Sequence, residues 1–286
     1  MRTLRKHRPT LTLAYLPHLD YDHQRFGPDA PRSKAALAEV DALVGEVVAT
    51  CDEVGAELLV VSEYGIEVAQ HPIHLNRALR EAGLLAVRET PVGDVLDVFA
   101  SRAFAVVDHQ VAHLYVNDPA ARADALRIAA ELDGVAEVLD DAGKHTHGLD
   151  HPRSGELVCV AERGAWFTYY YWLDDAHAPD FAPTVDIHRK PGYDPAELFV
   201  DPQLKLPQLR VARRLAQKLI GMRYLMDVIP LDATLVGGTH GRLPDDPADG
   251  PVFLCSAAWQ HCGGEPDAGE VEMTSVSHRI LALLQR

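Results

Sequence analysis

Three segments near the start restrict what this chain can fold into more than any others. Residues 10–16, TLTLAYL, alternate and are rich in β-branched and aromatic side chains, the pattern of a buried strand, and Pro17 closes the run. In residues 33–54, Leu37, Val40, Val44, Val47, Val48, Cys51 and Val54 recur at helical spacing, with Pro31 and Ser33 as start signals and Gly55 as the stop. Residues 57–62, ELLVVS, are a short apolar run of the kind a buried parallel strand presents. Strand, helix and strand within about 50 residues make a βαβ unit, which predicts an α/β fold with a mainly parallel, doubly wound sheet. The loops leaving both strands open on the sheet edge where such folds keep their chemistry. The first loop carries Asp20, Asp22 and His23, and the second carries Ser62, Glu63, Tyr64 and Gly65.

From Ser101 the texture changes to short units. Strand patterns cover 103–107 and 114–116, a helix 119–132, a strand 134–139, and two runs, 155–161 and 165–172, joined by the turn Glu162-Arg163-Gly164. These predict a small α+β subdomain, 101–173, inserted into an α/β core made of 1–100 and 174–286. Its aromatic run WFTYYYW is expected to pack a face rather than bind a ligand. Residues 174–201 read as a long ordered loop in which DIHRKPGYDP gathers charge and ring. Residues 206–222 form a basic amphipathic helix, expected to lie against the sheet rather than on a membrane. A glycine-framed His240 sits in the last loop region, before a closing helix over 275–284.

Charge and cysteine usage exclude several function classes. Asp and Glu number 42 against 27 Lys and Arg, so a nucleic-acid backbone is not an expected partner. An acidic chain still binds phosphates where metal ions carry the positive charge. No run reaches the roughly 18 apolar residues of a membrane span, and the first residues lack an apolar signal core, so no membrane association or export is expected. Cys51, Cys159, Cys255 and Cys262 are scattered, which reads as reduced core thiols and favours the cytoplasm.

The loops centred on Asp20, Glu63 and His240 occur in the motifs LPHLDYDHQRFGP, VVSEYG and GGTHGRLPDDPADGPVF. With these motifs the chain resembles the C-terminal half of the type I phosphodiesterase and nucleotide pyrophosphatase family, in the alkaline phosphatase superfamily. SRAFAVVDHQVAH, HPRSGELVCVAERGAWFTYYYW and DIHRKPGYDP resemble a bacterial subgroup of it. The resemblance implies an incomplete alkaline-phosphatase-like sheet, two divalent metal ions, usually zinc, and a metal-dependent hydrolase of phosphodiesters or nucleotide pyrophosphates. Its substrate would be a small-molecule phosphate ester. The physical logic is general: paired cations neutralise a phosphoryl group and lower the pKa of its attacker. Asp20, Glu63 and His240 are the implied ligands.

Two departures qualify that inference. The family's His four residues after the first Asp is here Gln24, and its Ser-Asp-His-Gly is here Ser62-Glu63-Tyr64-Gly65. An amide and a phenol replace two imidazoles, a harder oxygen set that suits manganese, magnesium or calcium better than zinc. His23 stands beside Gln24 and would substitute if the register moved by one. Asp108 and His109, with His113 four residues on, either complete the site or form an ordinary buried hydrogen-bonding pair. The family's first metal-binding Asp and its nucleophile come from an N-terminal half with no counterpart before Thr10, and neither Ser62 nor Thr239 matches the nucleophile motif. The expectation is therefore a truncated hydrolase, with a second chain supplying the missing half or with self-association through an exposed sheet edge. The alternative is a catalytically silent remnant or binding protein that keeps the fold.

Overall fold

The structure, a computed structural model, describes residues 1–264 and 269–285. The chain opens with α1 (Arg2–His7), α2 (His18–Phe26) and α3 (Pro31–Val54), then β1 (Leu59–Val61), β2 (Glu67–Val68), β3 (His71–Ile73) and α4 (Leu75–Glu81). A run of strands follows: β4 (Val87–Thr90), β5 (Gly93–Leu96), β6 (Ala103–Asp108) and β7 (Val111–Val116). Next come α5 (Arg122–Glu131), β8 (Val135–Leu139), α6 (Asp141–Thr146), β9 (Leu157–Ala161) and β10 (Ala165–Phe167). The last elements are α7 (Pro207–Leu219), β11 (Gly238–Thr239), β12 (Phe253–Cys255) and α8 (Val276–Leu284). Helices and strands mix along the chain, which is α/β in that broad sense. Backbone contacts divide it into two units. One comprises Met1–His23, Pro28–Ile66 and Leu243–Arg286, the other Gln24–Gly27 and Glu67–Arg242.

In the first unit the sequence describes α3 well. Proline opens it, and Gly55, in the left-handed region at φ 69°, ends it by donating its N–H to the carbonyls of Cys51 and Asp52. Arg5 of α1 reaches Glu53 of α3 at 2.8 Å. The expected βαβ unit does not form. Residues 10–16 are irregular and exposed, Tyr15 at 82 %, and no described strand pairs with them. Alternation marks a face but supplies no partner, and an unpaired strand leaves its backbone groups to water. Asp20, Asp22 and His23 ride on helix α2 instead of a loop. The run 57–62 shortens to β1, which pairs antiparallel with β12, Leu59 opposite Cys255. Cys255 and Cys262 are joined as a disulfide, whereas Cys51 and Cys159 are free and buried. The reading of four reduced thiols therefore fails for two of them.

The second unit holds the main apolar core, every member of which lies between Ala69 and Val236. Strands β6, β7, β9 and β8 form one antiparallel sheet in that order. Alternate residues of β6 (Ala103, Ala105, Val107) and β7 (Ala112, Leu114, Val116) point into the core, where Ala125 and Ala129 of α5 are also buried. The aromatic run is interior as expected: Trp166, Phe167, Tyr169, Tyr170, Tyr171 and Trp172 are all fully buried. Trp172 packs edge-on against Tyr169 and Tyr171 and face-on against Tyr170. The mainly parallel sheet is not observed. Among the named strand pairs only β10 with β3 runs parallel, and parallel or antiparallel pairing is decided by contacts far apart in sequence. Helix α7 also departs from expectation, for none of its residues is buried and its leucines face outward. Among the described residues no helix is long and apolar enough to cross a membrane.

Candidate functional site

The densest chemistry lies in the second unit, at the turn between β6 and β7. Asp108 pairs with Val111 across a two-residue loop of His109 and Gln110. Such a loop favours glycine where φ is positive, yet the residue there is His109, at φ 50°. A bulky side chain held in the left-handed region costs about 1 kcal/mol or more, and such strain gathers at functional positions. The surroundings fix it: the Phe167 N–H donates to the His109 carbonyl at 2.7 Å, and the Gln110 N–H donates to the His240 carbonyl at 2.9 Å.

That last bond places His240 beside His109. β11 pairs with β2, Thr239 opposite Glu67, and the chain leaves it at His240. The two imidazole rings lie with centroids 3.9 Å apart and planes tilted by 34°. Tyr193 packs on the His109 ring at 4.9 Å, and its hydroxyl lies 3.5 Å from the Gln24 Oε1. Gln24 is 2 % exposed, and its carbonyl accepts the Gly237 N–H at 2.9 Å. The approach works because Gly27 and Gly237 meet backbone to backbone: a Cβ on Gly237 would stand 2.7 Å from the Gly27 nitrogen.

Tyr193 is held by its own loop. Gly192, at φ 125°, lies so close to β6 that a Cβ there would overlap the Val107 carbonyl, and the Tyr193 N–H donates to that carbonyl at 2.9 Å. Below it Lys190, with no exposed side-chain surface, contacts Asp194 at 2.9 Å and Glu197 at 2.7 Å. Burial raises the pKa of both carboxyls, and the Lys190 ammonium partly offsets this.

His109 is 2 % exposed and its Nδ1 has no hydrogen-bond partner. Burial first, and the neighbouring His240 second, hold its pKa well below the ordinary histidine value, so the ring is neutral at pH 7. Thr239 is fully buried, with an unpartnered hydroxyl. Asp108 is exposed and does not hydrogen-bond the His109 ring, so the two do not form the ordinary buried pair that was the second alternative. His113 stands apart, its Nδ1 facing the Gly155 N–H at 3.2 Å.

In the first unit the structure joins Asp20 and Tyr64. The Tyr64 hydroxyl donates to Asp20 Oδ1 at 3.1 Å, and burial followed by the Asp20 charge raises the phenol's pKa, so it stays protonated. Glu63 is exposed, and His23 is half-buried with its pKa lowered by burial. Ser62 is engaged in the β1–β12 connection, where its hydroxyl accepts the Val252 N–H at 2.8 Å.

Sequence reasoning named His109, His240 and Gln24 but missed Tyr193, although the loop that carries it was noted for its charge and ring. Among the described residues no group of three or more His, Cys, Asp or Glu side chains converges to hold a metal. The His109 Nδ1 is unpartnered beside the His240 ring, and the Tyr193 hydroxyl that lies 3.5 Å from Gln24 Oε1 belongs to the ring packed on His109.

Residues 2–194 match the profile of the type I phosphodiesterase / nucleotide pyrophosphatase family. An uncharacterised pyrophosphatase/phosphodiesterase of Schizosaccharomyces pombe is 46 % identical over 43 residues, which cover 15 % of this chain and 9 % of that protein. Phosphonoacetate hydrolase from Sinorhizobium meliloti, solved with phosphonoformate, gives a TM-score of 0.42 at 19 % identity, over 58 % of this chain and 40 % of that one. Murine ectonucleotide pyrophosphatase / phosphodiesterase 5 gives a TM-score of 0.39 at 18 % identity, over 56 % of this chain and 38 % of that one. The chain thus spans well under half the length of these proteins.

Proposed function

Because the chain belongs to the type I phosphodiesterase / nucleotide pyrophosphatase family, we propose that it contributes metal ligands to a hydrolase of phosphodiesters or nucleotide pyrophosphates. The observation that carries the proposal is the imidazole pair: His109, neutral and buried with a free Nδ1, stacked at 3.9 Å on His240. A neutral imidazole whose nitrogen nothing else occupies is the form that binds metal. In the second unit His109 and His240 would hold a divalent ion, with the Gln24 and Tyr193 oxygens beside them and Asp108 as a further candidate at the strand end. In the first unit Asp20, Glu63 and Tyr64 are the oxygen candidates. When bound, the ion supplies charge neutralisation to a phosphoryl group and acidifies its attacker.

Around that ion, the chain's own residues orient and exclude water. Tyr193 fixes the plane of the His109 ring, and the Gly27–Gly237 contact sets Gln24 against the His240 segment. The nucleophile is proposed to come from outside these 286 residues. Ser62 spends its hydroxyl on the β1–β12 connection, and Thr239 is sealed in the interior. A small phosphate ester is the proposed substrate, and an additional polypeptide segment the proposed partner.

A second reading, a catalytically silent binding protein, draws support from one bond. Tyr64 places a neutral phenol on Asp20, occupying a carboxylate lone pair that a cation would use. Metal analysis of purified wild type and His240→Ala after incubation with zinc or manganese separates the two. Bound metal that is lost in His240→Ala supports the hydrolase reading. Protein that stays metal-free after either addition supports the silent one.

A further inference from the structure

We infer that α7 is an interfacial helix that docks this protein on an anionic lipid surface. The helix is amphipathic, yet its polar arc is the one turned toward the protein. Arg210, Arg214 and Gln217 share one face, and the two arginines close on Asp227, each at 2.6 Å. Arg214 also donates to Gln217 at 2.9 Å. The arc opposite, Leu209, Ala212, Ala216 and Leu219, follows the spacing of a continuous helical stripe. It faces out: Leu209 is 64 % exposed and Leu219 86 %, whereas the Arg214 side chain is 19 % exposed. An amphipathic helix packed for its own fold shows the reverse.

The patch extends beyond the helix. Leu206 and Ile220 at its two ends are exposed, and an apolar groove of about 480 Å³ lined by Val200, Val211, Leu215 and Val228 runs alongside. A helix of 13 residues is about 20 Å long, and exposed apolar side chains recur along it from Leu206 to Ile220.

Charge identifies the occupant. Lys205, Arg213 and Lys218 are all exposed around the stripe, in a chain whose formal net charge is −15. Cations rimming an outward leucine stripe match the acidic headgroups and acyl boundary of an anionic bilayer. A second copy fits less well, because a two-fold pairing of α7 would bring two sets of Lys205, Arg213 and Lys218 to one interface. The acidity elsewhere does not forbid docking, since charges beyond a Debye length of about 8 Å are screened at physiological salt.

Cosedimentation with phosphatidylcholine vesicles, with and without phosphatidylserine, tests this. The wild-type chain should sediment with the mixed vesicles and not with phosphatidylcholine alone. The double variant Leu209→Glu, Leu219→Glu should bind the mixed vesicles about tenfold less, with an unchanged circular dichroism spectrum because both positions are exposed. Arg213→Glu with Lys218→Glu should lose binding to a similar extent, and added salt should weaken the wild type. Wild-type protein that stays in the supernatant with phosphatidylserine overturns the inference. So does undiminished binding by the leucine variant. A concentration-dependent dimer that the leucine variant abolishes, without vesicle binding, overturns it in favour of a second copy.

Discussion

His109 brings together a left-handed backbone, near-complete burial and an unpartnered ring nitrogen. Each of these is unfavourable alone, and a purely structural role would satisfy none of them. The consequence is directional: His109→Gly removes backbone strain together with the imidazole. Its loss of stability to denaturant should be smaller than that of His109→Ala, which leaves the same cavity without relieving the strain, while metal binding is lost. A second histidine makes a different prediction. His74, bonded through Nδ1 to the Thr168 hydroxyl at 2.7 Å and stacked on Tyr170, has its pKa lowered to about 4 by burial and by the neighbouring Arg77. The unfolded chain therefore binds a proton at His74 below its ordinary value of 6.5 that the folded chain refuses until about 4. Stability should fall as pH drops through that window, by at most about 3 kcal/mol from this residue. Denaturant midpoints across the window should show a shallower decline in His74→Gln than in wild type.

At the scale of elements, the loop 190–197 acts as a brace. Lys190 ties Asp194 and Glu197 together in the interior, and Gly192 lets Tyr193 dock along β6. Gly192→Ala should destabilise by about 2 kcal/mol or more, because a Cβ would meet the Val107 backbone and the φ of 125° suits glycine alone. Thermal melting checks it. What was legible at this scale follows from period and burial. The alternation in β6 and β7 and the aromatic run 166–172 identify the core because their own side chains record which face is inside. Residues 10–16 alternate equally well and form no strand, because the pattern contains no information about a partner. β1 was located but not its direction, since its partner β12 lies at the far end of the sequence. In the same way His109 and His240 were named singly. Their stacking depends on a hydrogen bond between the tip of one hairpin and the end of β11, which no local pattern encodes.

For the whole molecule, the main core belongs to the second unit, whereas among the described residues of the first the buried apolar ones are Ala36, Cys51 and Cys262. The imidazole pair therefore stands on the better-packed part of the chain, and its geometry is set by core strands rather than by exposed loops. The chain belongs to the type I phosphodiesterase / nucleotide pyrophosphatase family, and the imidazole pair is the observation on which the proposed metal role rests. Titration calorimetry of the purified chain with zinc and with manganese tests that directly, using wild type, His109→Ala, His240→Ala and the double variant. The expected result is one saturable site in the wild type, weakened at least about tenfold by either single change, with the double variant little worse than either because the two rings act on one ion. Equal affinity in all four proteins, or no binding by the wild type, would contradict it.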